Sequence, residues 1–222
     1  MFAKRLIKPE LLDHAEPAEA LPNLSDLVRI NRDFGGHGVL RKMLARVASR
    51  EKPFTLLDVG AASGDSGRLI EELYPAARVT SLDRNETNLG AAGWPKVLGD
   101  AFQLPFRDNS FDFVHSSLFL HHFPDEEVIE LLAGFYRLAR QALLVSDLER
   151  RLLPYCFLPA TKYLFGWQRI TLHDGPISVR AAFRAGELAD LSRRAGIETM
   201  QVEVHRPAFR ISLVANKHGS SA

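Results

Sequence analysis

Short apolar runs alternate with helical hydrophobic patterns through the middle of the chain. The runs are rich in β-branched or aromatic residues, as strands are, and lie at 54–59, 78–83, 96–99, 111–117 and 142–148. Apolar positions recur at helical spacing in most of the intervals between them, at 66–73, 86–92 and 125–140. Strands and helices alternating at this spacing form a parallel sheet that is covered on both faces. Such a sheet has its ligand crevice at the carboxyl ends of the strands.

The pattern changes towards the C-terminus. A helix is predicted over 182–196, and two further apolar runs, 197–205 and 210–216, lie close enough to pair as an antiparallel hairpin around Pro207. Five parallel strands followed by this hairpin make a seven-stranded sheet. The expected fold class is therefore α/β, with a doubly wound, Rossmann-like sheet that is mostly parallel.

The N-terminal part carries a separate helical pattern. Residues 1–23 show no regular spacing, Ser25 is placed as the N-cap of a helix, and a second helix is predicted over roughly 39–48. We expect this part to be a helical arm that closes over the crevice. The predicted division is an arm at 1–50, a main domain at 51–216 with an aromatic-rich insertion at 149–175, and a flexible tail at 217–222.

Composition and charge narrow the classes of function. The 222 residues are 46% hydrophobic and 25% charged with a net charge of +1, which is ordinary for one globular domain and disfavours nucleic acid as a partner. The single cysteine, Cys156, excludes an intrachain disulfide and fits a reducing compartment. The N-terminus lacks a signal-peptide pattern, and the longest apolar stretch, 152–160, is too short to span a bilayer. We therefore expect a cytoplasmic protein without stable membrane insertion.

The loop after the first strand, within "LLDVGAASGDSGRLI", is shaped to hold a ligand. Its glycines, Gly60 and Gly64, have the spacing G-x-x-x-G, which fits neither the G-x-G-x-x-G fingerprint of dinucleotides nor a phosphate-binding P-loop. Asp65 stands where a phosphate would need the helix N-terminus free of negative charge, and capping that helix is the role we expect for it. The loop therefore favours a ligand without phosphate.

Two acids further along the chain supply partners for the other parts of such a ligand. Asp83 ends the second strand, where a carboxylate can accept hydrogen bonds from a ribose diol. Asp100 follows the third strand, where it can accept a hydrogen bond from an adenine amino group. Ala101 and Phe102 beside it offer backbone donors and an apolar face.

Five segments, in order and at plausible spacing, resemble the class I S-adenosylmethionine-dependent methyltransferases over residues 54–148. They are "LDVGAASGD", "SLDRN", "LGDAFQLPFRDNSFDFV", "LHHFPDEEV" and "RLARQALLVSDL". The resemblance implies S-adenosylmethionine as cofactor and a small-molecule methyl acceptor. One departure is Ala62, which stands where the family has the middle glycine of its loop.

The resemblance also implies a set of cofactor-binding residues. Asp58 and the loop backbone serve the methionine moiety, Asp83 the ribose, and Asp100 with Phe102 the adenine. The full set is Asp58, Gly60, Ala61, Gly64, Asp83, Arg84, Asp100, Ala101, Phe102 and Ser116. The alternative for each acid is an ordinary cap or loop role, and for the glycines a purely conformational one.

Adjacent histidines follow the fourth strand and are candidates for a general base. A neutral imidazole of His121 or His122 could remove the proton of a phenolic acceptor, whose pKa is about 10. The alternative is that one of them only packs or caps, since adjacent side chains point different ways. His37 and His173 are weaker candidates, the latter in "HDGP", which predicts a turn. No metal is expected, because no H-x-x-x-H or H-x-x-x-E pair lies on a predicted helix.

The insertion gives the best indication of the acceptor. Its aromatic residues favour a lid over an apolar or aromatic acceptor, ahead of a role in the core or in peripheral contact with a membrane. They are Tyr155, Phe157, Tyr163, Phe165 and Trp167. The arm together with "HDGPISVRAAFRAGEL" resembles, more loosely, a small-molecule methyltransferase subgroup of polyketide and phenolic metabolism.

Functions other than methyl transfer are either left open or disfavoured by the sequence. A non-catalytic S-adenosylmethionine-binding module of the same fold is the main alternative, and a nicotinamide oxidoreductase lacks its G-x-G-x-x-G. Methylation of nucleic-acid bases is disfavoured, because "SSLFLHHF" replaces the expected N-P-P-[YF]. O- and C-methylation, and the oligomeric state, stay open.

Overall fold

The computed structural model describes residues 2–90, 92–93 and 95–217, without the side chain of Asp13. Seven strands form one sheet in the order β3-β2-β1-β4-β5-β7-β6. The strands are β1 Phe54–Val59, β2 Ala77–Asp83, β3 Lys96–Leu98, β4 Phe111–Ser117, β5 Ala139–Leu148, β6 Met200–His205 and β7 Arg210–Asn216. The first five are parallel to one another, while β7 is antiparallel to both β5 and β6. The predicted sheet is confirmed.

Helices cover both faces of this sheet, because its strands carry apolar side chains on both faces. Leu56 and Leu57 are adjacent in β1 and fully buried, yet they belong to opposite cores. One core contains α5 and α9, and the other contains α2 and α3. The helices are α1 Pro17–Asp33, α2 Gly36–Val47, α3 Asp65–Leu73, α4 Glu86–Leu89, α5 Asp125–Leu138, α6 Leu152–Ala160, α7 Lys162–Phe165, α8 Arg169–Ala181 and α9 Ala185–Arg194. Because β2 and β4 flank β1 on opposite sides, the strand order reverses at β1, and a crevice opens there at the carboxyl ends of these parallel strands.

The N-terminal arm begins earlier than its pattern predicted. Helix α1 starts at Pro17 with Glu16 as N-cap, so the prediction of Ser25 as N-cap is wrong. Ser25 lies inside the helix, where its hydroxyl donates to the carbonyl of Leu21. Proline at the first helical position is compatible with a helix start, because its missing N–H has no partner there in any case. The division into arm, domain and tail stays a prediction, and the tail lies outside the described residues apart from Lys217.

The aromatic insertion folds into helices rather than loops. Helices α6, α7 and the start of α8 occupy it, and the turn predicted for "HDGP" is wrong because Asp174 and Pro176 both lie within α8. Asp174 accepts backbone hydrogen bonds from Leu11 and Leu12, which attaches the N-terminal segment to α8. Among the described helices none is long and apolar enough to cross a membrane.

Candidate functional site

The loop between β1 and α3 has backbone that glycine favours at three positions. Gly60, Ala62 and Gly64 have φ values of 70°, 45° and 70°. A Cβ on Gly60 would lie 2.4 Å from the ring of Phe119, so only glycine fits there. Backbone N–H groups of Gly60 and Ala61 donate to the carbonyl of Leu82, which ties the loop to the end of β2. The loop is thus a rigid turn at the crevice.

A small cavity of about 80 Å³ lies between this loop and helix α1. Asp58, Gly60, Ala61 and Ala62 contribute to its walls. The carboxylate of Asp58 is almost fully buried, and its Oδ1 lies 2.7 Å from Nδ1 of His115. Its other oxygen, Oδ2, has no hydrogen-bond partner among the described residues. A buried carboxylate oxygen without a partner is costly, and an ammonium group would satisfy it.

Asp83 is held at the end of β2 by backbone donors. Its carboxylate accepts from the N–H groups of Ala62 and Asn85, each at 2.9 Å. Burial raises the pKa of this carboxyl, although the two backbone hydrogen bonds and Arg84 oppose the shift. Each carboxylate oxygen has two lone pairs, so acceptor capacity remains for a diol.

The other predicted cofactor residues divide into two groups. Asp83, Arg84, Asp100, Ala101 and Phe102 line one end of a large cavity, and Gly60 lies between this cavity and the small one. Asp100 is exposed, and its Oδ1 accepts from the N–H of Phe102, so that backbone donor is already used.

Gly64 and Ser116 line neither cavity. A Cβ on Gly64 would lie 2.8 Å from Ala92, so this glycine permits close packing of the loop. The hydroxyl of Ser116 is buried and donates to the carbonyl of Val59. The contacts of both residues in this structure are therefore with the protein itself, and their assignment to the cofactor stays a prediction.

The large cavity has a volume of about 540 Å³, within the range of small-molecule sites. Beyond the end that contains Asp83 and Asp100, its walls come from the arm, the insertion and the segment after β4. Most of these side chains are apolar, including Leu27, Ile30, Phe34, Phe119, Phe123, Phe157, Leu158 and Val179. This end suits an apolar ligand.

His121 lies on the wall of the large cavity and is paired with a carboxylate. Its Nδ1 is 2.6 Å from Oδ1 of Asp147, and both side chains are buried. Burial lowers the pKa of His121, but Asp147 raises it by charge and by hydrogen bond and Glu10 raises it further, so the net effect raises this pKa above its ordinary value. Burial by itself would raise the pKa of Asp147, but the pairing with His121 holds that pKa below its ordinary value. Asp147 thus fixes Nδ1, and Nε2 is the nitrogen left for a ligand.

Glu10 from the arm closes the other side of this pair. Its Oε1 lies 3.9 Å from Nε2 of His121, and its Oε2 lies 3.9 Å from Nδ1 of His122. Glu10 Oε1 also accepts from the hydroxyl of Ser178 in α8. Glu10 therefore reaches the histidines, although the segment that contains it shows no regular spacing of apolar positions in the sequence.

His122 is the weaker base of the two. Burial and the neighbouring charge of His121 lower the pKa of His122 to about 3, so its ring is neutral at physiological pH. The two rings stack with centroids 4.3 Å apart and planes 28° apart. Ligand atoms of Glu10, His121 and His122 lie within 4.8 Å of one another, so these three residues are close enough to hold a metal ion together. The expectation of no metal stays a prediction.

Sequence reasoning missed several residues of the site. Asp147 has the signal that identified Asp83, an acid near the end of a strand, and could have been found. His115 stands directly opposite Asp58 in the parallel register of β1 and β4. Arg210, at the start of β7, lines the large cavity as a buried cation whose pKa is lowered by burial to about 10. Glu10 has no signal in the sequence.

The weaker histidine candidates and Asp65 have local partners. Nε2 of His37 lies 2.8 Å from Oδ2 of Asp65, so helix α2 is joined to α3. Asp65 makes no side-chain cap of α3, whose N-cap is Gly64, and the capping role expected of it is wrong. His173 is exposed and contacts its neighbour Asp174. Neither histidine lines the large cavity.

The aromatic side chains of the insertion have different surroundings. Phe157 lines the large cavity, and Trp167 is buried against the arm, where Phe34 packs edge-on against both rings. Tyr163 is 94% exposed. The aromatic side chains of the insertion therefore include one at the wall of the large cavity, one in the core and one on the surface.

Comparison with known proteins relates this site to one family. Residues 57–142 match the family model described as a methyltransferase domain. A demethylmenaquinone methyltransferase of Listeria monocytogenes is 33% identical over 119 residues, which are 48% of this chain and 49% of that protein. The chain spans about half the length of the curated relatives it matches.

Solved structures extend the likeness to nearly the whole fold. A S-adenosylmethionine-dependent methyltransferase from Thermotoga maritima aligns with a TM-score of 0.62 and 18% identity, covering 89% of this chain and 96% of its own. Another from Aquifex aeolicus aligns with a TM-score of 0.61 and 16% identity, covering 91% and 98%. At such identities the likeness establishes the fold.

Proposed function

We propose that this chain acts as a class I S-adenosylmethionine-dependent methyltransferase, as its matched domain and its fold support, and that it methylates an apolar, hydroxylated aromatic acceptor. One observation carries this proposal. A single cavity joins Asp83 and Asp100 to an apolar end that contains His121, held by Asp147. Methyl transfer to a phenol or quinol needs a site for the cofactor and a basic group at an apolar wall, and this cavity contains both.

The cofactor is proposed to occupy both cavities. Asp58 Oδ2 would accept from the ammonium of the methionine part, which fits its buried position and lack of a partner. Asp83 would accept from the ribose hydroxyls, and Asp100, Ala101 and Phe102 would border the adenine. When bound, S-adenosylmethionine would supply a methyl group on a sulfonium sulfur, which an in-line nucleophile takes as the carbon–sulfur bond breaks and S-adenosylhomocysteine leaves.

The residues of the apolar end activate and orient the acceptor. Nε2 of His121 would take the proton of the acceptor hydroxyl, and Asp147 would stabilise the resulting imidazolium. Loss of that proton makes both the phenolic oxygen and the adjacent ring carbon nucleophilic, so either can receive the methyl group. Arg210 would place a buried cation near an acceptor oxygen, and Phe34 and Phe157 would exclude water.

The likeness to demethylmenaquinone methyltransferases supports an acceptor of this kind, because those enzymes are named for a quinone substrate. The matched region covers only about half of each relative, so the likeness supports the chemical class and not the individual acceptor.

Binding and turnover test the proposal in sequence. We expect calorimetry to show S-adenosylmethionine binding and no NAD binding. A screen of hydroxylated aromatic acceptors with apolar substituents should then release S-adenosylhomocysteine, and polar amines should not. Binding of NAD alone would contradict the assigned cofactor. Cofactor binding without turnover on any acceptor of the class would identify a non-catalytic binding module.

A further inference from the structure

Large exposed apolar side chains are concentrated on helices α6 and α7. Leu152 is 60% exposed, Leu153 66%, Tyr163 94% and Leu164 76%. Single exposed apolar residues are normal on a protein surface, whereas a contiguous group marks a contact with another apolar phase or molecule. We call the exposed side of these two helices the lid face.

The spacing places this group on one side of α6. Leu152, Leu153, Cys156 and Ala160 are exposed and recur at intervals of three or four residues, as positions on one helical face do. On the other side, Pro154, Phe157 and Leu158 line the large cavity. A helix that is apolar all round belongs in an apolar environment, yet only one side of α6 has one within the described structure.

The charges around the lid face have one sign. Residues 150–173 contain no aspartate or glutamate. Arg151 and Lys162 are exposed at its edges, with Lys162 Nζ 5.4 Å from the ring centre of Tyr163. Arg169 pairs with Glu19 of the arm, while Glu149 lies 3.6 Å from Arg151 and also pairs with Arg206 at 2.6 Å, so one carboxylate serves two cations. The lid face therefore combines apolar side chains with a net positive charge.

We propose that the lid face binds the surface of an anionic phospholipid bilayer. The leucines enter the boundary between headgroups and acyl chains, Tyr163 lies at the headgroup level, and Arg151 and Lys162 contact anionic lipid. Charge complementarity selects this occupant over a second copy of the chain, because a two-fold contact would bring these cations against one another.

Bilayer contact has a consequence that rests on the proposed function. The cavity side of α6 and the lid face are two sides of one helix, so the acceptor end lies directly behind the bilayer surface. A lipid-dissolved hydroxylated aromatic compound then enters the cavity without crossing water. The membrane contact itself does not depend on methyl transfer.

Vesicle flotation tests the contact without any turnover. We expect the protein to float with vesicles of equimolar phosphatidylglycerol and phosphatidylcholine, and less with phosphatidylcholine alone. The double variant Leu153→Ser with Leu164→Ser should lower the partition coefficient at least about 10-fold, because both leucines lose their burial in lipid. Lys162→Gln should lower it about fivefold, and only with anionic vesicles.

A matched control separates this surface from exposed apolar residues in general. Leu98 in β3 is also 60% exposed, and Leu98→Ser should leave flotation unchanged. Equal flotation of the double variant and the control would overturn the proposal, as would no flotation of the wild type. A wild-type dimer in sedimentation velocity that the double variant abolishes, without vesicle binding, would instead assign the face to a protein partner and overturn the proposal. Failure of the methyl-transfer assay would leave these outcomes unchanged.

Discussion

At the scale of single residues, His121 is the side chain whose environment differs most from what the sequence indicates. The pattern "LHHF" left both histidines as candidates, and only the pairing with Asp147 distinguishes them. A carboxylate on Nδ1 raises the pKa and fixes the tautomer, which favours proton acceptance at Nε2. The stacked His122 is neutral with a pKa of about 3 and is a poor proton acceptor.

The pH dependence of turnover follows from this difference. A base must be neutral, and His121 is neutral only above its raised pKa, so kcat/KM should increase with pH through a pKa higher than that of an ordinary histidine. Asp147→Asn removes the charge that raises this pKa, so the rising limb should move to lower pH while the rate falls. His121→Phe should lower kcat roughly 10²- to 10⁴-fold and remove the limb.

His122→Phe is the matched variant, since it keeps an aromatic ring on the same wall. We expect it to change KM for the acceptor more than kcat and to keep the pH limb. Circular dichroism of each variant checks that the fold is retained. If the His121→Phe enzyme kept the wild-type pH profile, His121 would not be the base.

Ala62 is strained by the loop that holds it. Its φ of 45° is in the left-handed region, which costs a residue with a Cβ roughly 1–2 kcal/mol. Ala62→Gly relieves this strain, while glycine adds unfolded-state entropy of about 0.4–1 kcal/mol. We therefore expect the free energy of unfolding in urea to increase by up to about 1.6 kcal/mol.

Ala61→Gly is the control for this substitution. Ala61 is buried in the same loop but is not among the residues of positive φ. Glycine there brings the entropy cost alone, so the free energy of unfolding should decrease by about 0.5–1 kcal/mol. Changes of the same sign in both variants would show that Ala62 is not strained.

At the scale of elements, the arm and the insertion pack together through aromatic contacts. Phe34 at the end of α1 packs edge-on against Phe157, Phe165 and Trp167, with centroids 4.9, 5.3 and 5.9 Å away. The guanidinium of Arg29 lies over the ring of Trp167 at 4.2 Å. Such pairs stabilise by about 0.5–1.5 kcal/mol each beyond the area they bury.

Removal of the central ring tests whether these elements act as a lid over the acceptor. We expect Phe34→Ala to raise KM for the acceptor about tenfold, since it opens the wall of the large cavity, with little change in cofactor affinity by calorimetry. Phe165→Ala removes an aromatic contact of the lid without removing a side chain that lines the cavity, and its effect on KM should be smaller. An unchanged acceptor KM in Phe34→Ala would exclude the arm from the acceptor site.

Helix positions in the lid were the least predictable elements. The turn expected at "HDGP" and the N-cap expected at Ser25 both rest on local propensity, and tertiary packing overrides it. Asp174 accepts backbone hydrogen bonds from Leu11 and Leu12, so a side chain that could have closed a local turn instead anchors a distant segment. Long-range partners of this kind leave no periodic signal.

At the scale of the whole molecule, the order of the sheet decides where chemistry occurs. With β1 between β2 and β4, acids at the carboxyl ends of neighbouring strands face one crevice. Asp58 and Asp83 both lie there; the strand end predicts Asp83, whereas Asp58 is expected from its place before the loop and from the family resemblance. The antiparallel β7 places Arg210 beside Leu148 at the end of β5, which brings a C-terminal cation to the same crevice.

The sequence by itself determined the sheet, the loop after β1 and the acids that follow the strands. These features depend on periodicities of two and 3.6 residues and on the fixed direction of parallel strands, all of which are local or follow directly from topology. Only the tertiary structure decided which histidine is paired, that Glu10 reaches it, and which side of α6 faces the cavity. Those outcomes depend on contacts between residues far apart in the chain, and no spacing in the sequence records them.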